Sequence, residues 1–322
     1  MLLRKLSFSL LPHNPHSAIA LFMSAARARI RALRVRHIMN TELSSSIPGE
    51  AVPGGETFSP APLRPAEEVH PERTRLHLDI LPQPDDVTCG PTCLHAVYRY
   101  FGDFMPVSQV VDEIAQLRDG GTLASLLGCH ALRRGYKARL YTYDLNTFDP
   151  TWTTLDAPAL KEKLRLQMEA KPDHKLHAAS HAYIEYLDLG GKLLFEDLSR
   201  ALIRRPLLKQ LPIIAGLSST YLYREMRDIP STNEADDIRG MPGGHFVVLH
   251  GYDHIRRTVH IADPYGDNPL TGSNGYEAPI DRVMCAILLG IVTYDANLLI
   301  LEPRRSSRKG KGCTELPPPP TF

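Results

Sequence analysis

Four residues of this chain have the types, and stand in the order, that a thiol nucleophile requires: Gln83, Cys89, His245 and Asp263. Cys89 lies in Gln83-Pro84-Asp85-Asp86-Val87-Thr88-Cys89-Gly90-Pro91-Thr92-Cys93. Proline suits the first turn of a helix, where its missing N–H costs nothing, so a helix is predicted to open at this cysteine. A thiol there meets the positive end of the helix dipole, which favours thiolate. Gly90 is expected to leave room for a substrate carbonyl beside the sulfur. Gln83 could donate its side-chain amide to the oxyanion of a tetrahedral intermediate, alongside the backbone N–H of Cys89. His245 opens the apolar run His245-Phe246-Val247-Val248-Leu249 behind Gly243-Gly244. A strand end is a rigid mount for a general base, and the two glycines are expected to clear space around its ring. Asp263 ends the following strand, where its carboxylate could orient the imidazole and stabilise imidazolium. Each residue also has an ordinary reading: a turn cysteine, a solvated glutamine, a core histidine, and an Asp-Pro turn. Only the joint pattern lifts the set above those readings.

The elements that must position these residues follow from periodicity and breakers. Helices are predicted over 91–101, 107–117, 122–134, 157–170, 176–187, 198–209 and 280–289. Strands are predicted over 137–143, 193–196, 212–217, 245–252, 258–262 and 298–301, with a polar loop over 221–241. The short Asp253–Arg257 connection makes 245–252 and 258–262 an antiparallel hairpin, which returns Asp263 to the side of His245. Alternation puts His250 on the opposite face from His245, in a structural role, and His254 in the turn. Helices come first and strands later, so the expected class is α+β, with a helical half carrying Cys89 and an antiparallel half carrying His245 and Asp263.

Composition narrows the function classes. The chain has 322 residues, 43% of them hydrophobic and 23% charged, which is ordinary for a globular protein. No uncharged apolar run reaches the ~18 residues of a membrane span. Seven of the 37 basic residues (Arg4, Lys5, Arg27, Arg29, Arg31, Arg34, Arg36) lie in 1–38, where there is no acid, so the rest carries 30 basic against 36 acidic residues. No basic groove for nucleic acid is expected. The Arg-rich start has the chemistry of a transit peptide, or else translation starts at Met23 or Met39. Residues 1–75 are expected to be a disordered leader, 76–303 one folded domain, and 304–322 a disordered basic and Pro-rich tail. Five cysteines without regular spacing suit a reducing compartment, and the cytoplasm is the expected location. A zinc site built on Cys89 and Cys93 is disfavoured, because the pair lacks Cys-x2-Cys spacing and encloses Pro91. No cofactor or metal is called for.

The core resembles the peptidase C39-like family of papain-fold cysteine peptidases, which includes the leader-cleaving domains of bacteriocin exporters. The resemblance rests on Gln83-x5-Cys89-Gly90-Pro91-Thr92-Cys93-Leu94, Gly121-Thr122-Leu123, Gly135-Tyr136, Pro212-Ile213-Ile214-Ala215, Gly244 to Tyr252, and Ile261-Ala262-Asp263-Pro264, in that order. It implies a papain-like fold with Cys89 as nucleophile, His245 as base, Asp263 as orienter and Gln83 in the oxyanion hole, acting on a peptide or protein substrate. Three departures limit what carries over. The long charged loop over 221–241 is expected near the cleft. The sequence holds no P-loop, and residues 144–210 are longer and more helical than a minimal peptidase needs, which suits an insertion covering substrate. Two alternatives stay open: an amidase or acyl transferase using the same thioester chemistry, and a peptide-binding module that does not hydrolyse.

Overall fold

The structure, a computed structural model, describes residues 72–118 and 120–303. Most of the expected leader and all of the expected tail therefore lie outside the described residues. Within 72–75, Arg73–Arg75 (β1) already forms a strand paired with the sheet, ahead of the expected boundary.

Three helices come first: Cys89–Tyr100 (α1), Val107–Glu113 (α2) and Ala124–Arg133 (α3). The strand Lys137–Thr142 (β2) follows, then Ala157–Ala170 (α4), His174–Asp188 (α5), Lys192–Leu194 (β3) and Arg200–Leu208 (α6). Asp156 caps α4 by accepting from Ala159 N, and Asp173 caps α5 by accepting from Lys175 N and Leu176 N. The remainder is Ile213–Ser218 (β4), Ser219–Tyr223 (α7), Asp228–Ile229 (β5), Glu234–Ala235 (β6), Gly244–Asp253 (β7), Thr258–Ala262 (β8), Gly275–Pro279 (β9), Ile280–Leu289 (α8) and Asn297–Glu302 (β10). The expected loop over 221–241 thus begins inside a short helix and contains the small β5–β6 ladder. β9 was not anticipated.

Eight strands form one sheet in the order β3-β2-β10-β4-β7-β8-β9, with β1 beside β7. All of its pairings are antiparallel except β2 with β3. The α+β class is as expected, but the two halves are not segregated. β10 inserts between β2 and β4 and joins the early strands to the late ones. The central strands can sit there because both faces are covered. Ile213-Ile214-Ala215-Gly216-Leu217-Ser218 is buried throughout, which needs a continuous apolar run rather than alternation.

Two cores lie on opposite faces of this sheet. Phe246, Val248, Ile214 and Leu299 pack with α1, α3, α4 and α5 on one side. Val247, Leu249, Ile213 and Ile300 pack with α6, α7 and α8 on the other. The 144–210 segment belongs to this framework: Tyr183 and Tyr186 of α5 and Leu160 and Leu164 of α4 are core residues. Part of its length is therefore spent on core, with Leu160 and Leu164 the two buried residues of α4.

The join that matters most for the site is α1 on β7. Phe246 is buried in it, and its carbonyl accepts a bond from Cys93 Sγ at 3.2 Å. Gly90 faces the same contact. A methyl group there would meet Thr122 Cγ2 at 2.8 Å and the Phe246 ring at 3.2 Å. Gly90 thus allows close helix–strand approach, and the space expected for a substrate carbonyl is filled by core. Phe246→Ala should lower unfolding free energy by about 3–5 kcal/mol, measured by urea denaturation. A loss below about 1 kcal/mol would mean that this join is not a principal contact of the fold.

Candidate active site

Cys89 is the first residue of α1 and is buried. The first turn of that helix contains no acidic residue to oppose a thiolate. The leading N–H groups of a helix have no intrahelical acceptor, and that of Cys89 is among them. The preceding loop is fixed locally: Asp85 Oδ1 accepts from Val87 N at 3.0 Å, and Thr92 Oγ1 bonds Thr88 O at 2.8 Å.

His245 stands at the start of β7, facing the sulfur. The β7–β8 register sets Ala262 opposite Val248, so Asp263 arrives diagonally across from His245. His245 Nε2 donates to Asp263 Oδ1 at 2.8 Å, the proton being assigned from the acceptor-only carboxylate. The other ring nitrogen is left for Cys89, which is within hydrogen-bonding reach of the ring. Burial opposes a charged imidazole, but the Asp263 carboxylate and the Cys89 sulfur beside it outweigh that, and the His245 pKa is pushed up to about 10.

Asp263 is wholly buried, at 0% exposure, and its four acceptor positions are filled. Oδ1 takes His245 Nε2–H and the N–H of Tyr265 at 2.9 Å. Oδ2 takes the hydroxyls of Tyr223 and Tyr276, each at 2.7 Å. Its backbone is tied as well: Asp263 N donates to Asn274 O at 2.8 Å, and Asn274 Nδ2 donates back to Asp263 O at 2.7 Å. Burial alone would raise its pKa. The neighbouring His245 charge and the bonds from His245, Tyr276 and Tyr223 instead hold it below the usual carboxylate range.

Gln83 is tied to the same corner by its backbone, with N donating to Pro264 O at 2.9 Å. Its Nε2 donates to Asp85 O at 2.7 Å, while Oε1 is buried without a partner. A primary amide carries two N–H donors, so the bond to Asp85 orients the group and leaves one donor unspent. All four candidates from the sequence therefore lie in one region, with Gln83 turned toward its own loop.

The two glycines before His245 do a different job from the one expected. A methyl group on Gly244 would fall 1.8 Å from Asp295 Oδ2, and one on Gly243 2.8 Å from Ser219 Oγ. They make room for a carboxyl and a hydroxyl beneath the chain rather than for the imidazole. Gly243 is further held by Thr220 Oγ1, which accepts its N–H at 2.9 Å. Spacing gave no sign of Tyr223, Tyr276, Asn274 or Asp295. The alternation in Gly275-Tyr276-Glu277-Ala278-Pro279 was the one available signal, since Tyr276 and Ala278 point inward.

The remaining residues fall outside the chemistry. His250 sits at a register shift in β7 and bonds Leu76 O through Nδ1 at 2.9 Å, a contact that ties the strand to the chain before Cys89. His254 follows β7 in the turn. Burial pushes the Cys93 thiol well up. Among the described residues, Cys89, Cys93, Cys129 and Cys285 are free. No group of three or more metal-binding side chains occurs among them, and no helix there is long and apolar enough to cross a membrane.

No family model and no curated protein sequence matches the chain. Among solved structures it is similar to a C39-like peptidase of Bacillus anthracis at 15% identity, covering 72% of this chain and 98% of that one, with a TM-score of 0.39. It is also similar to xylellain, a cysteine protease from Xylella fastidiosa, at 15% identity, over 76% and 91% of the two chains, with a TM-score of 0.36. A third is a double-glycine-motif protease from an AMS/PCAT transporter, solved with its leader peptide, at 16% identity, over 71% and 94%, with a TM-score of 0.34. Such low identities and TM-scores say nothing of the reaction, which has to be argued from the site.

A second carboxyl, Asp295, lies under the Gly244 backbone near His245. Burial pushes its pKa up to about 7, although a bond from Thr293 and the charges of Lys175 and His245 act the other way. Between about 4 and 7 the folded chain keeps a proton that the unfolded chain releases, so stability falls as pH rises through that window. Asp295→Asn should flatten the dependence of melting temperature on pH from 4 to 7 and stabilise the protein above pH 7. Parallel curves for wild type and variant would show that Asp295 does not carry this linkage.

Proposed function

We propose that this chain is a cysteine peptidase that hydrolyses a peptide bond through Cys89, His245 and Asp263. The observation that carries this reading is the buried 2.8 Å bond from His245 Nε2 to Asp263 Oδ1, with the ring in reach of the thiol at a helix start. That is the order of contacts by which a base is oriented and a nucleophile activated.

Proton transfer from Cys89 to His245 gives a thiolate–imidazolium pair. The thiolate attacks the scissile carbonyl carbon, an S–C bond forms, and the carbonyl electron pair moves onto oxygen. The N–H of Cys89, left unsatisfied by the helix, and the second N–H of the Gln83 amide are the donors for that oxyanion. Collapse breaks the C–N bond as imidazolium delivers its proton to the departing amine. Neutral His245 then takes a proton from water, whose oxygen attacks the thioester. Breakdown of the second intermediate returns the sulfur as thiolate and releases the acid. Asp263 stays ionised throughout and stabilises the imidazolium. Transfer of the thioester to an amine would use the same residues with a different acceptor. A module that binds peptide without cutting it would have no need for the buried His245–Asp263 pair.

Because His245 stays protonated through neutral pH, iodoacetamide should alkylate Cys89 rapidly at pH 6, and His245→Ala should abolish that labelling. Labelling that rises only near ~8.5 in both proteins would overturn the ion pair. Incubation with a proteome-derived peptide library should produce new N-termini with wild type and none with Cys89→Ser. On a peptide so identified, Gln83→Ala should lower kcat by ~10²-fold or more. Unchanged turnover would remove Gln83 from the oxyanion site.

A further inference from the structure

The triad orienter is held by two phenols that come from separate parts of the fold. Tyr223 ends α7, directly after β4, and Tyr276 lies in β9 at the sheet edge. Both are buried, and both hydroxyls converge on the single oxygen Oδ2 of Asp263 at 2.7 Å. The other oxygen, Oδ1, is the one that receives His245. The Tyr223 ring also lies against the imidazole, 6.1 Å between centroids, and against Tyr265 at 6.3 Å.

We propose that Tyr223 and Tyr276 are positioning residues of the reaction, which together keep Asp263 an ionised acceptor with Oδ1 aimed at His245. This rests on the triad reading above.

The reasoning is one of satisfaction. A carboxylate removed from water is stable only when its oxygens are bonded, and an oxygen left without donors costs far more than an ordinary lost bond. Without the two hydroxyls, Oδ2 would be a buried charged acceptor with no partner. Two responses would relieve it: the carboxyl takes up a proton, or it rotates and brings Oδ2 to the imidazole. Either one weakens the stabilisation of imidazolium, and the Cys89–His245 pair then shifts toward its neutral form. The phenols are fit for the role because burial and the adjacent Asp263 charge both raise their pKa values, so they remain donors. They reach Asp263 from separate elements, one from the helix after β4 and one from the edge strand, and together fill the acceptor positions of Oδ2.

The test reads the nucleophile directly and needs no substrate. The rate of Cys89 alkylation by iodoacetamide is measured from pH 4 to 10 in wild type, Tyr223→Phe, Tyr276→Phe and the double variant. Tyr252→Phe, which removes a buried phenol bonded only to His254, serves as control. Urea midpoints are recorded for each. The double variant should show the alkylation profile displaced upward by one pH unit or more, so that labelling at a pH on the rising limb of the wild-type profile falls up to about tenfold. Each single variant should show a smaller displacement, and Tyr252→Phe none. A double variant that does not fold leaves the singles to decide, with two wild-type-like profiles counting against the proposal. Profiles that superimpose on wild type while midpoints fall would mean the phenols are structural filler, and the proposal would be overturned with the triad intact. A wild type that labels only as a free thiol would overturn the triad reading itself, and this inference with it.

Discussion

A carboxylate entirely removed from water must be surrounded by donors, and that constraint organises the part of this protein that carries the candidate site. Asp263 takes four hydrogen bonds, one from the imidazole, one from the backbone of Tyr265 and two from phenols. Each donor comes from a different element or turn. The strand hairpin, the edge strand and the helix after β4 must all be in place before the carboxylate can be buried at tolerable cost. The arrangement of the proposed triad is thus a consequence of packing around one charge.

The proposed nucleophile is governed by a different requirement. Cys89 reaches His245 only because α1 lies close on β7, and that approach depends on Gly90 against Thr122 and Phe246. The loop before the helix is tied to the acid side by Gln83 N on Pro264 O. The helical layer and the sheet therefore meet at two points beside the sulfur, one through apolar packing and the other through a backbone bond. Small errors in either would separate thiol and imidazole by more than a hydrogen bond spans.

Two aspartates flank the same imidazole in contrasting environments. Asp263 is saturated with donors and stays ionised, whereas Asp295, buried beneath Gly244, holds its proton to about pH 7. The contrast follows from the His245 charge bonded directly to Asp263 and from its further donors rather than from depth, since both are buried. It leaves His245 facing one fixed negative charge and one carboxyl that is mostly neutral in mildly acidic conditions.

The sequence by itself determined a good deal. Pro91 after Cys89 marked the helix start, the apolar run after His245 marked a buried strand, and the five-residue turn at Asp253–Arg257 made the hairpin that brings Asp263 back. These are local signals, set by backbone sterics and side-chain period, and the elements they define were found within a few residues of their expected ends. The same rules misread the glycines, because what a missing side chain makes room for depends on a neighbour far along the chain. They also missed β9, the insertion of β10 between β2 and β4, and the phenols on Asp263. Of these only β9 carried a local period, the alternation of Gly275–Pro279; the other two have neither period nor spacing. Tyr223 and Tyr276 are 53 residues apart by their numbering and meet only at a charge that water does not reach. Local chemistry fixed which residues could react, whereas the burial of Asp263, a property of the whole packed sheet, decided what would hold them.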